Sequence, residues 1–222
     1  MLDLTVCLLN WKRPENISRI ISALHGRVRL FLWDNSGLYP KDNRLDWQVT
    51  SSVNKNCSPR WWMAQMAETK YVCSLDDDLI PADEAVLSDA VNFFNSVRSP
   101  IAGIGPYGKK LDPKTTYYSN YVANTQQDEF VDLLLGRFIM IEKERLKNLN
   151  IRHPEDDIEL CAALSQKQKK QFLVPHIFRN RFIDLPSANA ISERPGHYER
   201  RTQAVEQLWG FKFLPHPRTD LR

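Results

Sequence analysis

The apolar residues near the N-terminus follow a pattern typical of alternating strands and helices. Residues 4–9 form a continuous apolar run, which predicts a strand buried on both faces of a sheet. After Pro14, isoleucine and leucine recur at helical spacing until Gly26, so this segment predicts a helix. A second apolar run at 28–33 ends in the turn-forming segment 34–37. This order predicts a β–α–β unit with a parallel sheet.

The remaining chain continues the alternation. We expect helices at 61–67, 85–97, 157–164 and 198–208. We expect strands at 71–75, 101–104, 117–122 and 130–141, the last broken at Gly136. The tail from Pro215 is expected to be extended. The fold class that follows is α/β.

The composition limits the number of domains and the class of partner. A chain of 222 residues with 42% hydrophobic content can bury one substantial core, so we expect a single domain. Lys and Arg number 30 against 27 Asp and Glu, a net charge of +3. No strong basic field points to a nucleic acid, whereas a small positive balance suits a small anionic ligand.

The four cysteines and the first apolar run bear on cellular location. The cysteines are far apart and form no CxxC pair, which favours reduced thiols over a disulfide framework. The run at 4–9 is too short for a membrane span and lacks the basic region of a signal peptide. We therefore expect a soluble cytoplasmic protein without a membrane span.

Three consecutive aspartates, Asp76, Asp77 and Asp78, follow the predicted strand 71–75. Ligands of open α/β sheets bind beyond the carboxyl ends of the strands. Clustered carboxylates raise one another's pKa unless a cation or hydrogen-bond donors offset them, and Mg²⁺ or Mn²⁺ commonly bridges such carboxylates to ligand phosphates. The alternative is a solvated acidic turn, or the N-cap of the next helix.

A second acidic cluster, Glu155, Asp156 and Asp157, opens the predicted helix 157–164. Carboxylates at a helix N-terminus are stabilised by capping and by the helix dipole, so the cluster needs no chemical role. Its functional interpretation is a general base, or a group that positions an acceptor hydroxyl.

Arginines near the ends of predicted elements are candidate phosphate ligands. Arg201 lies in the basic segment 193–202, and an arginine can bind phosphate oxygens with two N–H groups at once. The alternative for this segment is an amphipathic helix with a solvated basic face. Arg13 and Arg60 could contact a base or a phosphate, or form surface salt bridges.

Together these segments resemble the glycosyltransferases of the GT-A fold, in particular the exostosin-like branch, and the compact glycosyltransferase domains of large algal viruses. Residues 5–13 and 32–35 resemble the first two strands with their nucleotide-contacting ends. Residues 72–78 resemble the DXD segment of the family. The remaining similar segments are the following strand 101–106, the glycine-centred acceptor-side strand 135–138, the acidic pair at 156–158 and the closing helix 197–202.

The resemblance implies a single Rossmann-like domain with a mixed central sheet flanked by helices. Residues 1–105 would form its nucleotide-binding half and residues 106–222 its acceptor-side half. The implied activity is that of a hexosyltransferase-like enzyme, which moves a sugar from a nucleotide-sugar, most simply a UDP-sugar, to a hydroxyl of a carbohydrate acceptor. The implied cofactor is Mn²⁺ or Mg²⁺.

The resemblance also implies roles for individual residues. Asp78, with Asp76, would ligate the metal, and Asp76 and Asp77 would contact the ribose or the donor sugar. The residues expected to act in catalysis are Asp157, its alternate Asp156, and Arg201 at the diphosphate. The residues expected to contact the nucleotide are Asn10, Arg13, Asp34, Arg60, Asp76 and Asp77.

Two other functions compete with this prediction. A nucleotidyltransferase also combines an α/β sheet, acidic metal ligands and basic phosphate contacts, but usually has a glycine-rich loop, and residues 10–14 contain no glycine. A nucleotide-sugar or glycan-binding module without turnover would need the same contacts.

The chain also departs from the family in its short length and in Trp61-Trp62, where polar residues are expected.

Overall fold

A computed structural model describes residues 1–97, 101–167, 171–187 and 194–214. Its α-helices are α1 (Pro14–Leu24), α2 (Pro59–Met66), α3 (Val86–Ser96), α4 (Asp156–Ala162) and α5 (His197–Trp209). Its strands are β1 (Leu4–Asn10), β2 (Arg29–Asp34), β3 (Trp47–Thr50), β4 (Tyr71–Leu75), β5 (Leu79–Pro81), β6 (Ile101–Ile104), β7 (Tyr107–Lys109), β8 (Tyr121–Ala123), β9 (Glu129–Val131), β10 (Leu133–Leu134), β11 (Phe138–Glu142), β12 (Gln171–Val174) and β13 (Phe182–Asp184).

The central sheet of the described residues has eight strands in the order β3-β2-β1-β4-β11-β6-β12-β9. Strands β3, β2, β1 and β4 are mutually parallel. Strand β11 runs antiparallel between β4 and β6, so the sheet is mixed. Two small sheets, β10-β7-β8 and β13-β5, accompany it. The predicted α/β class, with a mixed central sheet flanked by helices, is confirmed.

The alternation of side chains along β1 divides the core between the two faces of the sheet. Leu4, Val6 and Leu8 pack with residues of α1 and α3. Cys7 and Leu9 point to the opposite face and pack with residues of α2, α4 and α5. Burying each leucine or valine side chain contributes roughly 1.5–3 kcal/mol. Strand β1 is apolar throughout because both of its faces are covered.

Proline starts the first two helices. α1 begins at Pro14 and α2 at Pro59, where the missing proline N–H costs no helical hydrogen bond. α1 ends at Leu24, and Gly26 follows with a φ of 78°, a left-handed conformation that favours glycine. α1 leads into β2 and α2 into β4, two parallel strands that start at the same edge of the sheet.

The predicted strand 117–122 is wrong in its first four residues. Only Tyr121–Ala123 is a strand, and residues 117–120 form turns. Asn120 has a φ of 58°, which an extended strand does not permit. The segment 130–141 forms β9, β10 and β11, with the predicted break around Gly136 and a further one at Asp132.

Several short strands have no counterpart in the sequence prediction: β3, β5, β7, β12 and β13. The predicted extended tail from Pro215 lies outside the described residues. All four cysteines are free thiols. In the described part of the chain, no helix combines the length and apolarity needed to cross a membrane.

Candidate active site

A cleft of about 1020 Å³ opens at the carboxyl ends of the parallel strands. Trp11 follows β1, Asn35 follows β2 and Asp76 follows β4, and all three line the cleft. Asp157 from the first turn of α4 and Arg201 from α5 line it as well. The two acidic clusters and the basic helix that the sequence singled out therefore meet in one cavity.

Asp77 and Asp78 are held by arginines. Nη1 of Arg13 lies 2.5 Å from Oδ1 of Asp77 and 3.1 Å from Oδ2 of Asp78. The backbone N–H of Trp11 donates to Oδ2 of Asp77 at 2.9 Å. Nη2 of Arg137 contacts Oδ1 of Asp78 at 3.2 Å. These bonds join the loop after β1 to the aspartates after β4.

Asp76 carries the least compensated charge of the three aspartates. Among the described residues, its carboxylate accepts one hydrogen bond, at Oδ1 from Nη1 of Arg60 at 2.8 Å. Although 31% of its side-chain surface is open to the cleft, desolvation raises the pKa of Asp76 to about 7. That value is the balance between desolvation and the charges of Asp78 and Asp77, which raise the pKa, and the charge of Arg60, which lowers it. Burial also raises the pKa of Asp77, against the effect of Trp11 and Arg13. Added positive charge would therefore stabilise the ionised cluster.

The donors of this cluster fit a hard divalent cation. Asp76, Asp77 and Asp78 offer only oxygen ligands, as Mg²⁺ and Mn²⁺ prefer, and all three line the cleft. Among the residues the structure describes, no three His, Cys, Asp or Glu side chains are already grouped so that they could hold a metal ion.

Arg60 joins the two acidic clusters. Its Nε and Nη2 bind Asp156 at 2.7 and 2.9 Å, and its Nη1 binds Asp76 and the carbonyl oxygen of Gly136. Nε1 of Trp61 also donates to Asp156, at 2.6 Å. A Cβ on residue 136 would lie 2.8 Å from Nη2 of Arg60, so a side chain there would displace the buried guanidinium from Asp156. Trp61, which the family pattern does not lead one to expect, is therefore a hydrogen-bond donor to Asp156.

Asp157 is paired with Arg201. Nη1 and Nη2 of Arg201 bind its two oxygens at 3.0 and 2.8 Å, and the backbone N–H of Gly136 donates to Oδ2 at 2.9 Å. Burial opposes ionisation of Asp157, but Arg201 outweighs it and the pKa falls below its ordinary value. Arg201 also binds Glu155 and the Tyr117 hydroxyl. The expected contact of Arg201 with a diphosphate stays a prediction.

Asn10 and Asp34 lie behind the cleft wall, with no exposed surface. Nδ2 of Asn10 donates to Oδ1 of Asp34 at 2.8 Å, and the backbone N–H of Tyr39 donates to Oδ2. The oxygens of Asp34 therefore hold the loops after β1 and β2 in place. The contact of Asn10 and Asp34 with the nucleotide stays a prediction. Their neighbours in the chain, Trp11 and Asn35, line the cleft.

Sequence reasoning missed the tyrosines of the cleft. Tyr117, Tyr118 and Tyr121 line it beside Lys109, and Arg137 completes this wall. The available signal was the density of tyrosines in the segment 117–121, which lies within the predicted strand 117–122.

Solved structures that match this fold include glycosyltransferases. A mannosyltransferase from Pyrobaculum calidifontis, determined with GDP-Man and Mn²⁺, superposes with a TM-score of 0.59 at 12% identity, over 94% of this chain and 63% of its own. Glucosyl-3-phosphoglycerate synthase from Mycobacterium tuberculosis, determined with Mn²⁺, UDP and glucosyl-3-phosphoglycerate, gives 0.61 at 12% identity, over 96% and 81%. The chain has the GT-A fold.

This GT-A chain also matches S. aureus TarS, with a TM-score of 0.51 at 14% identity, over 93% of this chain and 39% of TarS. The chain thus spans less than two thirds of the mannosyltransferase and of TarS. No protein-family model matches the sequence, and no curated protein matches it. The resemblances to the exostosin-like branch and to algal-virus domains stay predictions.

Proposed function

We propose that the cleft binds a nucleotide-sugar together with Mn²⁺ or Mg²⁺, and that the protein transfers the sugar to a hydroxyl of a carbohydrate acceptor. One observation carries the proposal: Arg60 holds Asp76 of the first acidic cluster and Asp156 of the second in the same cavity. A cation site and a second set of carboxylates in one cleft are what metal-assisted sugar transfer requires.

The cation would be held by Asp78 and Asp76. When bound, it would neutralise the charge that develops on the departing nucleoside diphosphate. Arg13 and Arg137, which now bind Asp77 and Asp78, supply positive charge at the same place. They would turn from these carboxylates to phosphate oxygens, which arginine binds well.

The nucleoside is proposed to lie near the ends of β1 and β2. Trp11 offers a ring, and Asn35, Asn54 and Asn56 line the same cleft with amide groups that can donate and accept hydrogen bonds. We propose a uridine nucleotide first and a guanosine nucleotide second. The synthase structure of similar fold contains UDP, and the mannosyltransferase structure contains GDP-Man.

The acceptor is proposed to approach the start of α4. Asp157, with Asp156 as its alternate, would accept the proton of the acceptor hydroxyl if configuration inverts, or stabilise positive charge on the sugar if configuration is retained. Arg201 fixes the orientation of Asp157 and adds positive charge beside it. Its hydrogen bonds make Asp157 a weak base unless Arg201 moves when the donor binds, so the carboxylate and the arginine act as one unit.

A panel of UDP-, GDP- and dTDP-sugars tests the proposal, with Mn²⁺ or with a chelator. A donor present at a hundred times its Kd stabilises the protein by about 2.7 kcal/mol, roughly 5–10 °C in Tm for a chain of this size. We expect one donor to give this shift only with Mn²⁺, and to be hydrolysed slowly. No shift with any donor would contradict the proposal. A shift without release of nucleoside diphosphate, in the presence of Mn²⁺ and acceptor sugars, would instead indicate a binding module.

A further inference from the structure

Lys109 is a buried cation that faces the cleft. Only 5% of the residue is exposed, and what remains open lines the cavity. Its ammonium group lies over three tyrosine rings, at 4.8 Å from the ring centroid of Tyr117, 5.4 Å from Tyr118 and 5.8 Å from Tyr121. We call these four residues the tyrosine cage. Aromatic faces attract a cation within about 6 Å, most strongly where water is excluded.

The backbone fixes the cage. Lys109 is the last residue of β7 and pairs directly with Tyr121 of β8, so the two side chains are cross-strand neighbours. Tyr107 shares the face of Lys109 by strand alternation and stacks on Tyr121, with ring centroids 6.4 Å apart and planes 13° apart. The lysine is therefore held in place from several sides before any ligand binds.

The charge of Lys109 is not balanced by an acid in the described part of the chain. Three arginines of the same cleft each form a salt bridge with an aspartate: Arg13, Arg60 and Arg201. Lys109 forms no salt bridge with any described residue. Burial, and then the charge of Arg201, lower the pKa of Lys109 to about 8. Burying an unpaired charge is costly, and tyrosine rings compensate only part of that cost. An anion supplied by a ligand would compensate the rest.

The cage lies on the Asp157 side of the cleft. The Tyr117 hydroxyl accepts a hydrogen bond from Nε of Arg201, which in turn binds Asp157. On the other side, Tyr107 lies under Arg137, with the guanidinium 5.4 Å from the ring centroid. Arg137, which binds Asp78, thus contacts Tyr107, whereas Lys109 lies over Tyr117, Tyr118 and Tyr121. Lys109 therefore lies near the Arg201–Asp157 pair, on the side of the cleft that the proposal assigns to the acceptor.

We infer, building on the proposed function, that the tyrosine cage is an acceptor subsite in which Lys109 binds an anionic group, a carboxylate or a phosphate, of the acceptor. The substrate class is accordingly an acidic or phosphorylated sugar. The tyrosine rings and hydroxyls around Lys109 provide apolar faces and hydrogen-bonding groups for the rest of such a sugar.

Matched pairs of small sugars test the inference on protein loaded with UDP and Mn²⁺. Methyl glucuronide against methyl glucoside tests a carboxylate, and glucose 6-phosphate against glucose tests a phosphate. We expect the charged member of one pair to bind more tightly by about tenfold, the usual effect of a charged hydrogen bond. Calorimetry or NMR titration gives the Kd values.

Lys109→Met should abolish this preference, since methionine fills the cage without the charge. Lys110→Met is the matched control, because Lys110 is exposed and pairs with Glu129 away from the cage. That variant should keep the preference. Melting curves verify that both variants fold.

Three results would each overturn the inference. They are equal Kd values for the charged and the neutral sugar of both pairs, no binding of any charged probe, and an unchanged preference for the charged sugar in Lys109→Met. Weaker binding of UDP and Mn²⁺ by Lys109→Met would overturn it too, by assigning the lysine to the donor. The same probes are also titrated into the protein without nucleotide. This experiment distinguishes a failure of the acceptor inference from a failure of the proposed donor site. If UDP and Mn²⁺ do not bind, the preference of the free protein for the charged probes still decides whether Lys109 binds an anion.

Discussion

Arg60 and Asp156 form a bidentate ion pair, with Nε to Oδ2 at 2.7 Å and Nη2 to Oδ1 at 2.9 Å. Their side chains are 4% and 2% exposed. The third nitrogen of the same guanidinium binds Asp76. The pair therefore connects the strand end that carries the proposed cation ligands to the helix that carries Asp157.

Replacing Arg60 should destabilise the whole protein. Arg60→Met leaves the Asp156 carboxylate buried without its charge partner, which typically costs about 3–5 kcal/mol. Urea unfolding measures the loss. Arg181→Met is the matched control, since Arg181 pairs with exposed Asp83 and partly exposed Asp89 and each such pair contributes at most about 1 kcal/mol. Equal losses in the two variants would show that the Arg60 pair is no more important than a surface ion pair.

Asp157→Asn separates a chemical role from a structural one. If the carboxylate accepts a proton or stabilises charge, transfer should fall by roughly 10² to 10⁴ while affinity for the donor barely changes. If it serves only as the partner of Arg201, the variant should lose stability and keep its transfer rate once allowance is made for unfolded protein. Melting temperature, donor affinity and sugar transfer on one preparation give the answer. Normal transfer would move the proposed role to Asp156.

Lys109 should give the protein a distinctive dependence on pH. Its pKa in the folded chain is about 8, below the ordinary 10.5, so folding disfavours the charged lysine. This penalty is fully present below pH 8 and is relieved as the pH rises from about 8 towards 10.5, so stability should rise across that window. Lys109→Met lacks the penalty, and the wild type should approach its stability at high pH.

In the folded chain, the groups that face Lys109 do not titrate in that window. Burial raises the pKa values of Tyr117 and Tyr121 to about 12 and that of Tyr118 further, and Arg201 stays charged. Urea unfolding at several pH values measures the difference between wild type and Lys109→Met. A difference that does not change with pH would contradict the shifted pKa.

The strands that form the cleft edge could be predicted because their signal is local. β1 and β4 are buried on both faces, so each is a continuous apolar run, and the polar residues that follow must lie at the edge of the sheet. This placed Asp76–Asp78 at the cleft. It could not show which polar residue after β1 faces the cleft, and there Asn10 is buried while Trp11 lines the cavity.

The interactions that complete the site join distant parts of the chain. The Arg60–Asp156 and Arg201–Asp157 pairs depend on how α2, α4 and α5 pack, and nothing in the spacing of the residues encodes them. The tyrosine cage depends on two three-residue strands, β7 and β8, which are too short to give a periodic signal. The sequence pattern therefore gives no signal that Lys109 lies in the cleft.

The most direct test of the central claim is calorimetric titration of UDP into the wild type and into Asp78→Asn, each with Mn²⁺ and with a chelator. Asp78 lines the cleft between Arg13 and Arg137, so asparagine removes a proposed cation ligand and one of three repelling charges with little loss of packing. Asp83→Asn, in the surface pair with Arg181, is the control. We expect UDP to bind the wild type and the control only with Mn²⁺, and to bind Asp78→Asn weakly or not at all. Binding of UDP to Asp78→Asn with undiminished Mn²⁺ dependence, or binding to the wild type that ignores the chelator, would contradict the claim.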